Sequence, residues 1–396
     1  VDVFAALTTG DNNTAVATRS LNVLTTGSDN TALGYNSGQG TTTGSNNTFI
    51  GSGAGNENTT ASNNTAVGYF SLLANTTGSE NTAVGTTALD ANTTGASNTA
   101  VGREALSANT TANSNVAVGE SALRVSTTGA FNVAVGANAL TANTTAGTNT
   151  AVGYAVGEDI TTGAGNTGLG YYAMGNTTTG ANNTALGYTA LYANTTASYA
   201  TAVGYNSLAA NTTGTQNTAT GWSALRACTT GSYNVAVGSS ALYSLTTSSN
   251  NVAVGRDALE DLVDGHHNIA VGNGAGKTYT GVYNCTSIGH NADSNGTSGN
   301  TNITIGYDAQ KSAANISGQV TIGNTDITGF RCNVQTISSL SDGRDKTDVI
   351  NSPYGLDFIN TVRPVQFKWE SRDGNGKDGK TSLGFIAQEL LASCNG

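Results

Sequence analysis

Residues 81–85 read Asn-Thr-Ala-Val-Gly, and the same five residues return at 98–102, which is 17 positions later. The glycine of this pentapeptide recurs at every seventeenth position from Gly34 to Gly323, and Ala17 holds the same phase one step earlier. The register therefore persists over 19 copies without an insertion. A period this strict predicts a solenoid, because one inserted residue would displace a side chain from its stacked column.

Two columns of larger apolar residues run through the repeat. The position before the glycine is Val, Leu or Ile in nearly every copy from Val16 to Ile322, with Thr220 as the exception, and a leucine follows the glycine by four residues in most copies. We predict that both columns form the core, with Val67, Val84 and Val101 pointing inward. The polar stretch between them, Ala-Asn-Thr-Thr-Gly in many copies, suits a tight turn with positive φ. Each coil is therefore predicted to hold two short strands and a turn.

The fold class follows from the length of the period and its composition. Seventeen residues are too few for a helix-turn-helix repeat, and a high density of Thr, Asn and Gly disfavours helices. We predict an all-β parallel solenoid, or β-roll, about 90 Å long at the usual strand spacing. Because each coil supplies only one or two large apolar side chains, we expect three chains to intertwine as a homotrimer that buries them. A monomeric β-solenoid is the alternative.

Composition and charge exclude several classes of protein. The chain of 396 residues has 52 Gly, 10% charged residues and a net charge of −10, so phosphate backbones and anionic lipids are poor partners. No apolar run reaches the roughly 20 residues of a membrane-spanning helix, so membrane insertion is not expected. Neither a phosphate-binding loop nor a paired-carboxylate or Ser-His-Asp pattern occurs, which predicts no cofactor and no turnover of an external substrate. Four cysteines show no metal-binding or redox spacing and are predicted to be free thiols: Cys228, Cys285, Cys332 and Cys394.

Five consecutive coils carry an aromatic residue directly after the repeat glycine. These residues are Tyr154, Tyr171, Tyr188, Tyr205 and Trp222. Variable polar residues at this position in other coils indicate that it faces solvent. We predict an exposed aromatic ladder on which sugar rings could stack, with mutual packing that stiffens the rod as the alternative.

Two other polar patterns have simpler interpretations. His266 and His267 occupy a turn with nearby acidic residues, which we interpret as a solvated loop and not as a metal site. Thr-Thr pairs such as Thr76 and Thr77 recur in most coils and would stack into a hydroxyl array. Such an array could bind ice or crystalline polysaccharide, although β-compatible turn chemistry also explains it.

The composition changes after the last repeat. Residues 341–396 hold 7 of the 15 Lys and Arg residues, 8 of the 25 Asp and Glu residues, and both prolines. We predict a repeat region at 1–330, a linker at 331–340 and a small α+β domain at 341–396. Four blocks stand out in the last segment: Ser341-Asp-Gly-Arg-Asp-Lys346, Gly355-Leu-Asp-Phe-Ile359, Arg363-Pro-Val-Gln-Phe-Lys-Trp369 and Gly384-Phe-Ile-Ala-Gln-Glu389.

Both regions resemble known families. Across roughly residues 13–325, the coils resemble the β-roll heads of trimeric autotransporter adhesins and similar repeats of phage tail fibres. The four blocks resemble the self-cleaving intramolecular chaperone domain of phage tail spikes and fibres, the endosialidase-type chaperone family, whose front part they cover. The resemblance implies a domain that trimerises nascent fibre chains and then cuts itself away just before the serine of the Ser-Asp motif.

In this chain that bond joins Leu340 to Ser341. The Ser341 hydroxyl could attack the Leu340 carbonyl in an N-to-O acyl shift, with Lys346 as the proton acceptor if burial lowers its pKa. Because residues five apart on an α-helix lie about 140° out of phase, the two side chains need a turn or a contact between chains to meet. Ser341 as a simple helix cap is the alternative. We expect the chain as it stands to remain uncut or to fail to assemble.

Together these observations predict a trimeric fibre on a phage tail that contacts a host surface glycan or protein, alongside other tail proteins of the virion. A bacterial trimeric surface adhesin is the first alternative, and a monomeric solenoid that binds ice or polysaccharide is the second.

Overall fold

The computed structural model describes residues 2–329, 362–368, 381–386 and 389. The chain divides into two compact units, Val1–Thr328 and Gly329–Gly396. Ser341, Lys346 and the predicted linker at 331–340 lie outside the described residues. Among those that are described, no helix is long and apolar enough to cross a membrane.

The first unit is a parallel β-solenoid, which confirms the predicted fold class. Each coil contributes one three-residue strand, and all 19 strands join one sheet. The strands are β1 Thr14–Val16, β2 Thr31–Leu33, β3 Thr48–Ile50, β4 Thr65–Val67, β5 Thr82–Val84, β6 Thr99–Val101, β7 Val116–Val118, β8 Val133–Val135, β9 Thr150–Val152, β10 Thr167–Leu169, β11 Thr184–Leu186, β12 Thr201–Val203, β13 Thr218–Thr220, β14 Val235–Val237, β15 Val252–Val254, β16 Ile269–Val271, β17 Thr286–Ile288, β18 Ile303–Ile305 and β19 Val320–Ile322.

The strands stack in register, so that each residue pairs with its equivalent 17 positions away. Thr82 pairs with Thr99, and Val84 pairs with Val101. The same parallel register joins every neighbouring pair of strands from β1 to β19. The constant period of the sequence therefore lets every coil stack on the next in the same way.

The interior of each coil is narrow. The middle residue of the strand, usually Ala, is buried, and the leucine four residues after the glycine is buried opposite it. Phe49 shows that these positions share one space, because it replaces the strand Ala and packs against Gly38 and Gly55, which stand in the leucine column. A Cβ at Gly55 would lie 2.3 Å from the Phe49 ring. The predicted inward leucine column is confirmed.

The valine column points the other way, so the prediction that Val67, Val84 and Val101 face inward is wrong. These valines are only partly buried, and the same column is about half exposed at Val16 (52%) and Leu33 (46%). Successive side chains of a strand lie on opposite faces of the sheet, so an inward Ala forces both of its neighbours outward. The outer face of the sheet therefore carries two rows of β-branched or aliphatic residues.

The predicted second strand is also absent from residues 2–329, where each coil has one strand only. The leucine segment consists of tight turns, because Leu72, Leu89 and most of their equivalents have positive φ, near +50°. In most coils positive φ recurs at the leucine column and at three other positions, such as those of Glu80, Gly85 and Thr87, but not at Asn75 and Gly78 of the predicted turn. Stacking of identical turns holds these leucines in a conformation that a lone residue avoids.

Two ladders of buried asparagines satisfy the backbone of the turns. In the first ladder, the Asn64 Oδ1 accepts from the backbone N–H of Asn81 at 2.9 Å, and the Asn81 amide donates to the Gly95 carbonyl at 2.9 Å. In the second, the Asn92 amide donates to the Asn75 Oδ1 and to the Gly95 carbonyl, both at 2.9 Å. These bonds recur from coil to coil, and buried backbone groups need such partners.

The repeat glycine is required by close approach of the next coil. Gly102 has φ of +139°, and a Cβ there would lie 2.4 Å from the carbonyl oxygen of Gly119. We expect Gly102→Ala to lower the free energy of unfolding by about 3 kcal/mol or more, because the backbone must shift to relieve both strain and overlap. Gly318→Ala is the control, since Gly318 has φ of +72° with no atom within 4 Å of a Cβ. Equal melting temperatures for the two variants would contradict this account.

In the second unit, strands β20 (Val365–Lys368) and β21 (Thr381–Gly384) form an antiparallel pair. Val365 pairs with Gly384, so two of the four sequence blocks meet in this hairpin. The guanidinium of Arg363, from the third block, donates to the Glu389 carboxylate of the fourth at 2.6 Å. These contacts join residues that sequence analysis assigned to one domain.

Candidate functional site

The aromatic ladder lies on consecutive coils of the solenoid, directly after β9 to β13. Each ring follows the column glycine, whose φ of +129° to +139° turns the chain away from the strand. The register of the sheet stacks these positions one above another. The five side chains are 43–54% exposed, so the ladder lies on the surface as predicted.

The rings stack face to face along the rod. Ring centroids of successive residues are 5.4, 5.1, 5.3 and 6.5 Å apart from Tyr154 to Trp222, with planes inclined by 6° to 14°. Each inner ring therefore has both faces covered by its neighbours and presents its edge to solvent. The faces of Tyr171, Tyr188 and Tyr205 are thus turned toward neighbouring rings, whereas the sequence analysis places stacked sugars on such faces.

What the ladder offers instead is a row of ring edges, with phenol hydroxyls at coil spacing on its four tyrosines. Phenol hydroxyls donate and accept hydrogen bonds, which suits the hydroxyl-rich edge of an extended polysaccharide. At the two ends, the equivalent positions are the small residues Ala137 and Ser239. Only the outer faces of Tyr154 and Trp222 remain without an aromatic neighbour in the column.

Sequence analysis missed a second row of tyrosines beside the ladder. The Tyr172 ring meets Tyr154 and Tyr171 edge-on, with centroids 5.5 and 4.7 Å away, and Tyr192 meets Tyr172 at 6.1 Å. Tyr172 directly follows a ladder residue, and a cluster of two adjacent tyrosines was the available signal. These edge-on contacts pack against the amino-terminal end of the ladder, at Tyr154 and Tyr171.

The other predicted surface features have structural partners. The His266 Nδ1 accepts from the backbone N–H of Ser249 at 3.0 Å, and its ring lies 5.8 Å from that of Tyr283. Thr76 Oγ1 donates to the Thr93 carbonyl at 3.0 Å, whereas Thr77 is exposed. The first threonine of such a pair thus ties coils together, and the second faces solvent.

Of the four cysteines, the structure describes two. Cys228 and Cys285 are buried free thiols, as predicted. Burial raises the pKa of the Cys228 thiol to about 11, so it remains protonated at neutral pH and is a poor nucleophile. Cys332 and Cys394 lie outside the described residues.

Comparison with known proteins finds a family match in the carboxyl-terminal segment. Residues 341–394 match the family described as the chaperone of endosialidase, Peptidase_S74. This match confirms the resemblance drawn from the four blocks, and its first residue is Ser341, the serine of the Ser-Asp motif. No curated protein and no solved structure matches the chain.

Proposed function

We propose that this chain is the fibre of a phage virion, assembled as a homotrimer by its carboxyl-terminal chaperone segment and exposed on the tail to contact the host surface. The observation that carries the proposal is the order of the two units: a long β-solenoid followed directly by the endosialidase-type chaperone match at 341–394. A chaperone of that type is expected to act on the repetitive chain that precedes it. The proposed location is the virion tail, outside the cell, in contact with other tail proteins.

The outer face of the sheet supports the homotrimer. Its two rows comprise the first and third residues of β1 to β19, and all are Thr, Val, Leu or Ile. A continuous charge-free stripe along a whole rod is typical of a surface that contacts another chain. Three copies with these faces turned to a common axis would bury both rows. The valine column, which is partly exposed in the single chain, would then form a core between the chains.

Self-cleavage at Leu340–Ser341 is part of the proposal. Ser341 supplies the nucleophile and Lys346 the base, and the peptide bond under attack is tethered next to the hydroxyl, which removes the entropy cost of bringing the reactants together. One turnover per chain would release the chaperone segment from the assembled rod.

A bacterial surface adhesin is the second candidate, because the solenoid supports it equally well. The chaperone match favours the phage fibre, since a surface adhesin needs a membrane anchor and not a segment that cuts itself away. The exposed threonines would suit an ice-binding solenoid, and such a protein would slow ice growth as a monomer.

The aromatic ladder is the proposed contact with a host polysaccharide, through ring edges and hydroxyls. We expect replacement of Tyr171, Tyr188 and Tyr205 by Phe to abolish binding on a glycan array, because it removes the hydroxyls, while the melting temperature stays unchanged because the stack is kept. Replacement of all three by Ser should also abolish binding and additionally remove stacking, worth about 1 kcal/mol per pair.

Tyr35→Ser is the control, since Tyr35 holds the same phase in a coil outside the ladder. Undiminished glycan binding by the triple Ser variant, together with a lower melting temperature, would show that the ladder only stiffens the rod. Loss of binding in the Tyr35 variant as well would place the receptor contact elsewhere.

A further inference from the structure

A buried polar cluster lies near the carboxyl-terminal end of the solenoid, where the interior changes character. Asp293 stands in the leucine column, four residues after Gly289, and Tyr279 stands in the second asparagine column. Ser287 replaces the inward Ala of strand β17. Lys311 reaches this group from a neighbouring coil. The usual apolar packing is thus replaced by four polar side chains.

The lysine and the aspartate form an ion pair that solvent does not reach. Lys311 Nζ lies 3.4 Å from Asp293 Oδ2, and both side chains are 1% exposed. The amine also donates to the Ser298 carbonyl at 2.8 Å and lies 5.3 Å from the centre of the Tyr279 ring. Burial of an ion pair costs hydration free energy, which the attraction between the two charges does not readily offset.

The two carboxylate oxygens of Asp293 differ in their surroundings. Oδ2 accepts from the Tyr279 hydroxyl at 2.6 Å, and that hydroxyl is 2.8 Å from Ser287 Oγ. Oδ1 is buried and has no hydrogen-bond partner within the described part of the chain. Oδ2 is therefore held and polarised by a hydrogen bond, whereas Oδ1 has no such bond.

The Lys311 amine and Asp293 Oδ1 both lie next to Gly296. A Cβ at this position would lie 2.6 Å from Asp293 Oδ1 and 2.6 Å from Lys311 Nζ. Both reacting groups therefore border the space that a side chain at 296 would fill. The neighbouring residues Asn295 and Thr297 are exposed, so a small molecule released there has a short path to solvent.

We propose that Lys311 and Asp293 condense to an intramolecular isopeptide bond. In this step the Lys311 ammonium gives up two protons in all, and both end on Oδ1; the first leaves the nitrogen before it attacks. Nζ then bonds to Cγ, a second proton moves from nitrogen to Oδ1, and the Cγ–Oδ1 bond breaks. One water leaves, and no oxidant or reductant is required.

The surrounding groups fit the product as well as the reactants. The amide N–H keeps the Ser298 carbonyl as its acceptor, and the amide oxygen keeps the Tyr279 hydroxyl as its donor. The unpartnered Oδ1 is the atom that departs. Burial, together with the nearby Asp293 carboxylate, raises the pKa of Tyr279, so its hydroxyl stays protonated and can stabilise negative charge on Oδ2 during attack. The bond would clamp two coils covalently at the end of the rod.

Peptide mass mapping of the full-length chain tests the proposal. Trypsin cuts after Lys277, Lys311 and Arg331, but a condensed Lys311 is not cut. We expect one fragment, 278–331, lighter by one water than its sequence. The missed cut at Lys311 separates this product from succinimide formation at Asp293 or Asn295, which would leave Lys311 open to trypsin. Two fragments, 278–311 and 312–331, at their full masses would overturn the proposal.

Two variants assign the chemistry. Lys311→Arg keeps the charge and the tryptic site but cannot attack the acid, so it should give both fragments at full mass. Tyr279→Phe keeps the ring and removes the donor to Oδ2, and condensation should then be slower on the order of a hundredfold. A water loss that persists in the Lys311 variant would show that the modification lies elsewhere. Condensation at the native rate in the Tyr279 variant would remove this hydroxyl from the mechanism.

Discussion

Self-cleavage between Leu340 and Ser341 is expected to disappear completely in the Ser341→Ala variant of a chain that carries the whole chaperone domain. The variant lacks the hydroxyl that attacks the Leu340 carbonyl, and no neighbouring group occupies the same tethered position. Lys346→Ala, which removes the proposed base, should slow cleavage on the order of a thousandfold. Both variants should still assemble, because the chaperone contacts remain.

Mass spectrometry reads this outcome directly, since cleavage creates a new amino terminus at Ser341. Ser339→Ala serves as the control, because it changes a serine two positions away and should leave cleavage intact. Cleavage that persists in Ser341→Ala, or that occurs at another bond, would refute the assigned chemistry. Loss of assembly together with cleavage would instead assign Ser341 a structural role such as a helix cap.

A carboxylate is expected to unfold the coils when it replaces an inward residue of a strand, and to separate the chains when it replaces an outward residue. Ala134 is fully buried, and Val135 is the next residue on the outer face of β8. Ala134→Asp buries an unpaired carboxylate, which should cost on the order of 4 kcal/mol per chain and unfold the coils around it. Val135→Asp should leave each chain folded but bring three carboxylates together in the trimer, so that the chains separate.

Circular dichroism with temperature and sedimentation velocity distinguish these outcomes. Val135→Thr is the matched control, since Thr220 already occupies this column and is uncharged. A native chain that sediments as a monomer would refute the homotrimer directly. A trimer that tolerates Val135→Asp would place the contact between chains on another face of the rod.

The contrast between Ala134 and Val135 also explains what sequence reasoning could and could not predict. The period of 17 predicts the register and the stacking of the ladder residues, since both follow from spacing, and the variable residues after the repeat glycine predict that the ladder is exposed. Large apolar residues usually lie inside a protein, and for this reason the sequence predicts the wrong direction for the valines. The overlooked signal was the middle strand position, which is small in almost every coil and becomes Phe49 only where Gly38 and Gly55 make room.

Side-chain chemistry was less predictable than spacing. The rings of the ladder cover one another because of their side-chain torsion angles. These angles cannot be predicted from the order of the residues. The cluster around Asp293 had a signal, because a charged residue interrupts a column of leucines. Its partner, Lys311, could not be inferred, since its column holds polar residues in many coils and only the structure shows that it turns inward.

The identical stacking of each coil on the next has a consequence for how such a chain changes over generations. Because Gly85, Gly102 and Gly119 make the same contacts with their neighbours, one coil can be lost or duplicated without disturbing those on either side. Unequal recombination between the repeated DNA segments would then lengthen or shorten the rod in steps of one coil. Insertions of any other size would break every stacked column at once, so selection would leave whole coils as the unit of inherited variation.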